Sequence, residues 1–167
     1  MRNKKVNRSA AVLMSLFMFL AININSQGMD VPANLQAALF QKIFMFNKTL
    51  QSKGVDVAVL SADGSGDDIA SAFIAAGIKA KVVQGSSVPA GATVVYIMPG
   101  VSSPKAECAS KGVFSISGVG ANAERGNVAI GIGVEGGKPK IIVNASQLKA
   151  EGQEVSADLL KIAKVVQ

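Results

Sequence analysis

The chain of 167 residues contains no histidine, no tryptophan, one tyrosine and one cysteine. Without histidine there is no imidazole to act as a general base near neutral pH or as a zinc ligand. Ser-His-Asp, Cys-His and HExxH arrangements are therefore excluded. The lone thiol, Cys108, cannot close a disulfide within the chain, so stability has to come from burial. It lies in PKAECASKG, a short helical pattern in which a buried thiol is expected and pairing between two chains is the alternative. No close pair of carboxylates stands out as catalytic either. The expectation is a protein with no catalytic residues, no cofactor and no metal site.

Acidic residues are missing from the first 26 positions, where Arg2, Lys4, Lys5 and Arg8 precede an apolar run over residues 10–22 broken only by Ser15. Asn23, Asn25, Ser26 and Gln27 then restore polarity. An apolar core of about 13 residues fits a secretory signal and falls short of the roughly 20 needed to span a bilayer. The sequence thus predicts a signal peptide over residues 1–26, cleaved near Ser26, and an exported, periplasmic domain over residues 27–167. No cysteine follows the apolar core, so neither a lipid anchor nor a membrane-spanning mature form is expected.

The leader also accounts for most of the apparent basicity. The whole chain carries +6, from 17 basic against 11 acidic residues, and the predicted mature part keeps 13 against 11. Its lysines are scattered and not interleaved with aromatics, so no nucleic-acid partner is expected. Roughly 140 residues suffice for one domain with its own core.

Along that domain, residues 32–51 read as one helix, with Leu35, Leu39, Ile43, Phe46 and Leu50 on a common face. Phe40, Phe44 and Met45 extend the apolar surface beyond that stripe, and the excess belongs either to the core or to a partner. Residues 55–60, 78–83, 92–98 and 113–117 read as buried strands. The first two flank a helix over 69–76 and form a parallel βαβ unit. A short helix with Pro104 in its first turn ends at Gly112. Residues 118–126 read as a loop, and 128–134 and 140–143 as a hairpin turning at Gly136 and Gly137. Asn144 and Ser156 cap two closing helices, the last of them carrying Leu159, Leu160, Ile162, Ala163 and Val166. Strand and helix alternate first, a hairpin follows, and helices stand at both ends. The fold class is a single small Rossmann-like α/β sandwich.

Two glycine patterns imitate a dinucleotide fingerprint. Gly118, Gly120 and Ala123 spell GxGxxA, and Gly131, Gly133 and Gly136 spell GxGxxG. A fingerprint needs a helix directly behind its glycines. The second pattern runs into a hairpin and the first has room for barely a turn of helix, so nucleotide binding is not expected. Asp63, Asp67 and Asp68 lack the alternating ligands of a calcium loop and read as acids at a helix start.

The opening residues 35–46, LQAALFQKIFMF, and the closing block 140–163 resemble the YfiR-like family of exported bacterial proteins. Members open with a helix of the kind KAAFIYNFAKF and close with a strand ending FEIN, a helix, and an SSxLLxLA helix. Here Ile142, Val143 and Asn144 stand at the FEIN end, followed by ASQLKAEGQEVSADLLKIA. Residues 94–98, 113–117 and 126–134 are similar to the family's central strand, its LTVSD strand and its Gly-initiated strand.

The resemblance implies a small α/β domain, a homodimer, no catalytic residues, and a partner in a membrane sensor. One member represses a membrane diguanylate cyclase from the periplasm and lowers cyclic-di-GMP output. Family cysteines that pair are absent here, so redox control does not transfer. Lys48, Thr49 and Leu50 replace the aromatic and proline that usually follow the first helix. The expected function is therefore a periplasmic, non-enzymatic interaction module with Phe40, Phe44 and Met45 at its contact surface. The alternative is a small-ligand or envelope-component binder using the carboxyl ends of the parallel strands, near residues 61–66, 99–103 and 118–122.

Overall fold

The computed structural model describes residues 31–167; residues 1–30, with the predicted leader and its cleavage near Ser26, lie outside the described residues. Seven strands form one sheet: β1 Asp56–Ser61, β2 Lys79–Gln84, β3 Val94–Ile97, β4 Phe114–Ser117, β5 Ile130–Glu135, β6 Lys138–Asn144 and β7 Lys164–Val166. Their spatial order is β2-β1-β3-β4-β5-β6-β7. The first five run parallel, β6 turns back antiparallel to β5, and β7 runs parallel to β6. The helices are α1 Ala33–Met45, α2 Lys48–Lys53, α3 Asp67–Ala75, α4 Lys105–Lys111, α5 Gly120–Glu124, α6 Ala145–Ala150 and α7 Ala157–Ile162.

Strand alternation assigns the two faces. Val57, Val59, Val94, Tyr96, Phe114, Ile116, Ile130 and Ile132 point to one side, where α1, α3 and α7 deliver Phe40, Phe44, Phe73 and Leu159. Ala58, Leu60, Val95 and Ile97 point to the other, where α4 and α5 deliver Cys108 and Ala123. Both faces are covered, which is why the central strands read as continuous apolar runs. The Rossmann-like α/β sandwich expected from the sequence is the observed architecture.

Several local expectations are corrected. The opening helix is broken at Phe46 and Asn47, because the Asn47 side chain accepts a hydrogen bond from Leu50 N–H at 3.2 Å and starts α2. Its buried face is Ala37, Phe40, Ile43 and Phe44, while Leu35 and Phe46 are exposed. The 118–126 segment contains the short helix α5 instead of being a loop throughout. The last helix stops at Ile162, and residues 164–166 leave it to pair with β6 as an edge strand. The hairpin turn is as read: Gly136 and Gly137 take φ of 58° and 75°, the two consecutive positive values that a two-residue turn requires.

Candidate functional site

Four places could bind or react, and the first lies at the carboxyl ends of the parallel strands. The chain leaves β1 toward β2 on one side and returns to β3 on the other, so the topological switch point falls between β1 and β3. A hollow of about 310 Å³ opens there beside Ser65, Gly66, Asp67, Asp68, Ile69 and Met98, and one of about 200 Å³ beside Ala62, Ser86, Gly100 and Ser102.

The loop between them is already satisfied. Ser65 N–H and the Ser61 hydroxyl both donate to Asp63 at 2.9 Å. Hydrogen bonds from Ser65, and then Ser61, hold the Asp63 carboxyl down to about 2. Asp67 and Asp68 occupy the first turn of α3 and answer its positive end with the chain's own carboxylates. Among the described residues, no group of three or more His, Cys, Asp or Glu side chains could hold a metal ion.

The second place is the GxGxxA turn between β4 and α5. It has the strand, turn and helix order of a phosphate loop, but its glycines are used internally. A Cβ at Gly118 would overlap Gln36 Oε1 and the Tyr96 hydroxyl. These two are bonded to each other, Tyr96 donating to Gln36 Oε1 at 2.6 Å, and Gln36 Nε2 donates to Val31 O at 2.6 Å. The opening of α1 thus fills the space above the turn. A Cβ at Gly120 would lie 2.8 Å from Gly133 Cα, and one at Gly131 would lie 3.0 Å from Gly120 Cα. Gly120 of the first pattern and Gly131 and Gly133 of the second are the two halves of one contact, α5 laid on β5.

A third cluster was not marked by the sequence. Glu151, 1% exposed at the end of α6, accepts hydrogen bonds from Ser115 N–H at 3.0 Å, from the Ser115 hydroxyl, and from Gln147 Nε2 at 2.9 Å. No basic side chain lies within ion-pair distance of it among the described residues. Burial pushes its carboxyl up to about 7. Cys108 is buried nearby, and its thiol is pushed up to about 12 by burial and by the charges of Glu151 and Glu107. A thiol so raised is protonated at neutral pH and a poor nucleophile. In sequence Glu151 precedes Gly152 like any exposed helix end, and nothing local distinguishes it.

The fourth place is an apolar groove of about 410 Å³ between the α1–α2 corner and the start of β2. Phe44, Leu50, Val55 and Ile78 supply its apolar walls, and Met45 stands on its rim, 68% exposed. Gln41 Nε2 donates to Ala76 O at 2.7 Å and Gln51 Nε2 to Met45 O at 2.6 Å, fixing the corner. The expected contact trio divides here. Phe40 is fully buried against Phe44, Phe73 and Tyr96, at centroid distances of 6.2, 6.2 and 6.0 Å, and is not available to a partner. Phe44 is 5% exposed in the groove wall, and of the three only Met45 is exposed. The sequence missed Leu50, Val55 and Ile78, because they converge from α2 and from the segments that lead into β1 and β2.

Among the described residues no helix is long and apolar enough to cross a membrane. No family model matches the chain, and no curated protein matches it.

Proposed function

We propose that the protein is a periplasmic, non-enzymatic interaction module that regulates a membrane sensor by gripping an apolar side chain of that partner beneath Met45. The groove at the α1–α2 corner is the observation that carries this reading. It is apolar, open, and rimmed by an unbranched side chain that adapts to irregular partners. The leader-like first 26 residues, the absence of histidine and the resemblance to YfiR-like regulators support the compartment and the lack of chemistry. The switch-point hollows have less support as a ligand site, since Ser61, Asp63 and Ser65 of the loop between them are bonded to one another.

The test places a photo-crosslinking side chain at Met45, and separately at exposed Lys149 on α6, in cells that make the exported protein. A discrete adduct with a membrane protein is expected from position 45 and not from 149. With that partner purified, Met45→Gln should weaken binding by about tenfold, equivalent to about 1.4 kcal/mol, with unfolding free energy unchanged within about 0.5 kcal/mol. Equal crosslinking from both positions, or unchanged affinity in Met45→Gln, would reject the groove.

A further inference from the structure

The groove does not end in a closed wall. Its lining runs through Ile78 to Lys79, the first residue of β2, and β2 is the outermost strand of the sheet. β2 pairs along all six residues with β1 and with no other strand among the described residues. Alternate residues of an extended strand send N–H and C=O to opposite sides, so the outer side of β2 offers a ladder of about three residues ready to accept another chain.

The side chains along this edge specify what kind of chain. Lys79 and Lys81 are exposed, with no carboxylate within ion-pair distance among the described residues. Between and beyond them Ala80 and Val82 are half-buried against the core. A second copy pairing antiparallel about Lys81 would set that lysine against itself, and like charges on facing strands are destabilising. Carboxylates on an added strand would instead find two unpaired ammonium groups.

We infer that the partner supplies an extended, acidic segment that adds to the outer edge of β2 as an eighth strand. The inference rests on the proposed function in placing that segment beside the groove, where its apolar anchor would enter next to Ile78.

Three synthetic ten-residue peptides test it with the purified exported protein. One alternates Glu with Val and ends in Leu, a second has every Glu replaced by Lys, and a third has the terminal Leu replaced by Ser. Binding is followed by fluorescence anisotropy, and backbone protection by hydrogen exchange at residues 79–84.

The acidic Leu peptide should bind, slow exchange in β2, and lose at least tenfold in affinity in the Lys79→Glu, Lys81→Glu double variant and in high salt. Equal binding of the lysine peptide, unchanged β2 exchange at saturation, or no binding of any peptide at millimolar concentration would overturn the inference. The Ser peptide separates the two readings. If it binds and protects β2 as well as the Leu peptide, the added strand stands and the groove reading falls. Leu-dependent binding without β2 protection gives the opposite result.

Discussion

Glu151 shows most sharply what one residue contributes once the chain is folded. Its carboxylate receives three hydrogen bonds but, among the described residues, no counter-charge, and burial outweighs the donors, raising it from the usual 4.5 to about 7. The folded state therefore holds this proton more tightly than the unfolded state does. Its contribution to stability is fully present below pH 4.5, declines as pH rises, and is lost above about 7. The two end-points correspond to a loss of about 3 kcal/mol. With no histidine in the chain, few other groups titrate across that window. Urea unfolding at pH 5 and pH 8.5 should show the decline, and Glu151→Gln should flatten it, since the amide is neutral at both values. A wild-type protein that is equally stable at the two pH values would contradict the assignment. At this same scale the sequence misled about α1. Leu35 and Phe46 have the hydropathy of core residues yet are exposed, because Phe40 and Phe44 turn the opposite stripe toward Phe73, Tyr96 and Phe114.

Elements were legible in kind where caps and turn residues act locally. Asn144 and Ser156 accept from Gln147 N–H at 2.8 Å and Leu159 N–H at 3.4 Å, starting α6 and α7 where the sequence places them. The break between α1 and α2 was not legible, although Asn47 is a strong cap. Its role depends also on Nδ2 donating to Gln153 Oε1 at 3.0 Å, a residue more than a hundred positions away. The glycine patterns carry the same lesson. Read along the chain they suggest a nucleotide, whereas across the sheet they allow α5 to lie on β5. Ala at position 120 would bring Cβ to 2.7 Å from Ile142 Cδ1 and 2.8 Å from Gly133 Cα. Ile142 can rotate away, but the β5 backbone cannot. Gly120→Ala should therefore cost about 1–3 kcal/mol, the range for an overpacked core. Thermal unfolding measures it, and a melting temperature equal to that of the wild type would show that α5 moves without cost.

On the scale of the whole molecule, the strand order sets which parts open first. β1, β3 and β4 lie inside the sheet and are covered on both faces, while β2 and β7 are its edges and β7 has only three residues. Local opening takes the least free energy where few apolar contacts must break. Hydrogen exchange should be slowest at residues 57–60, 94–97 and 114–116, approaching the global unfolding limit. It should be fastest at 164–166 and on the outer side of β2. Uniform protection across the sheet would mean that the edges are covered in solution, by a partner or by a second copy.

Local sequence was enough to establish the α/β class, the parallel βαβ opening, the hairpin at Gly136 and Gly137 and the caps of the closing helices. Each of these follows from hydrophobic period, cap chemistry or backbone freedom within a few neighbouring residues. The absence of histidine likewise excludes imidazole chemistry, whatever the fold. Only the tertiary structure decided that Phe40 is core and Met45 is rim, that Gly118 and Gly120 are packing surfaces, and that Glu151 is buried. It also brought Phe44, Leu50, Val55 and Ile78 together beside β2, the edge strand of the sheet among the described residues. These properties depend on which distant residue occupies the neighbouring space, and pairing across the sheet determines that where no local pattern can.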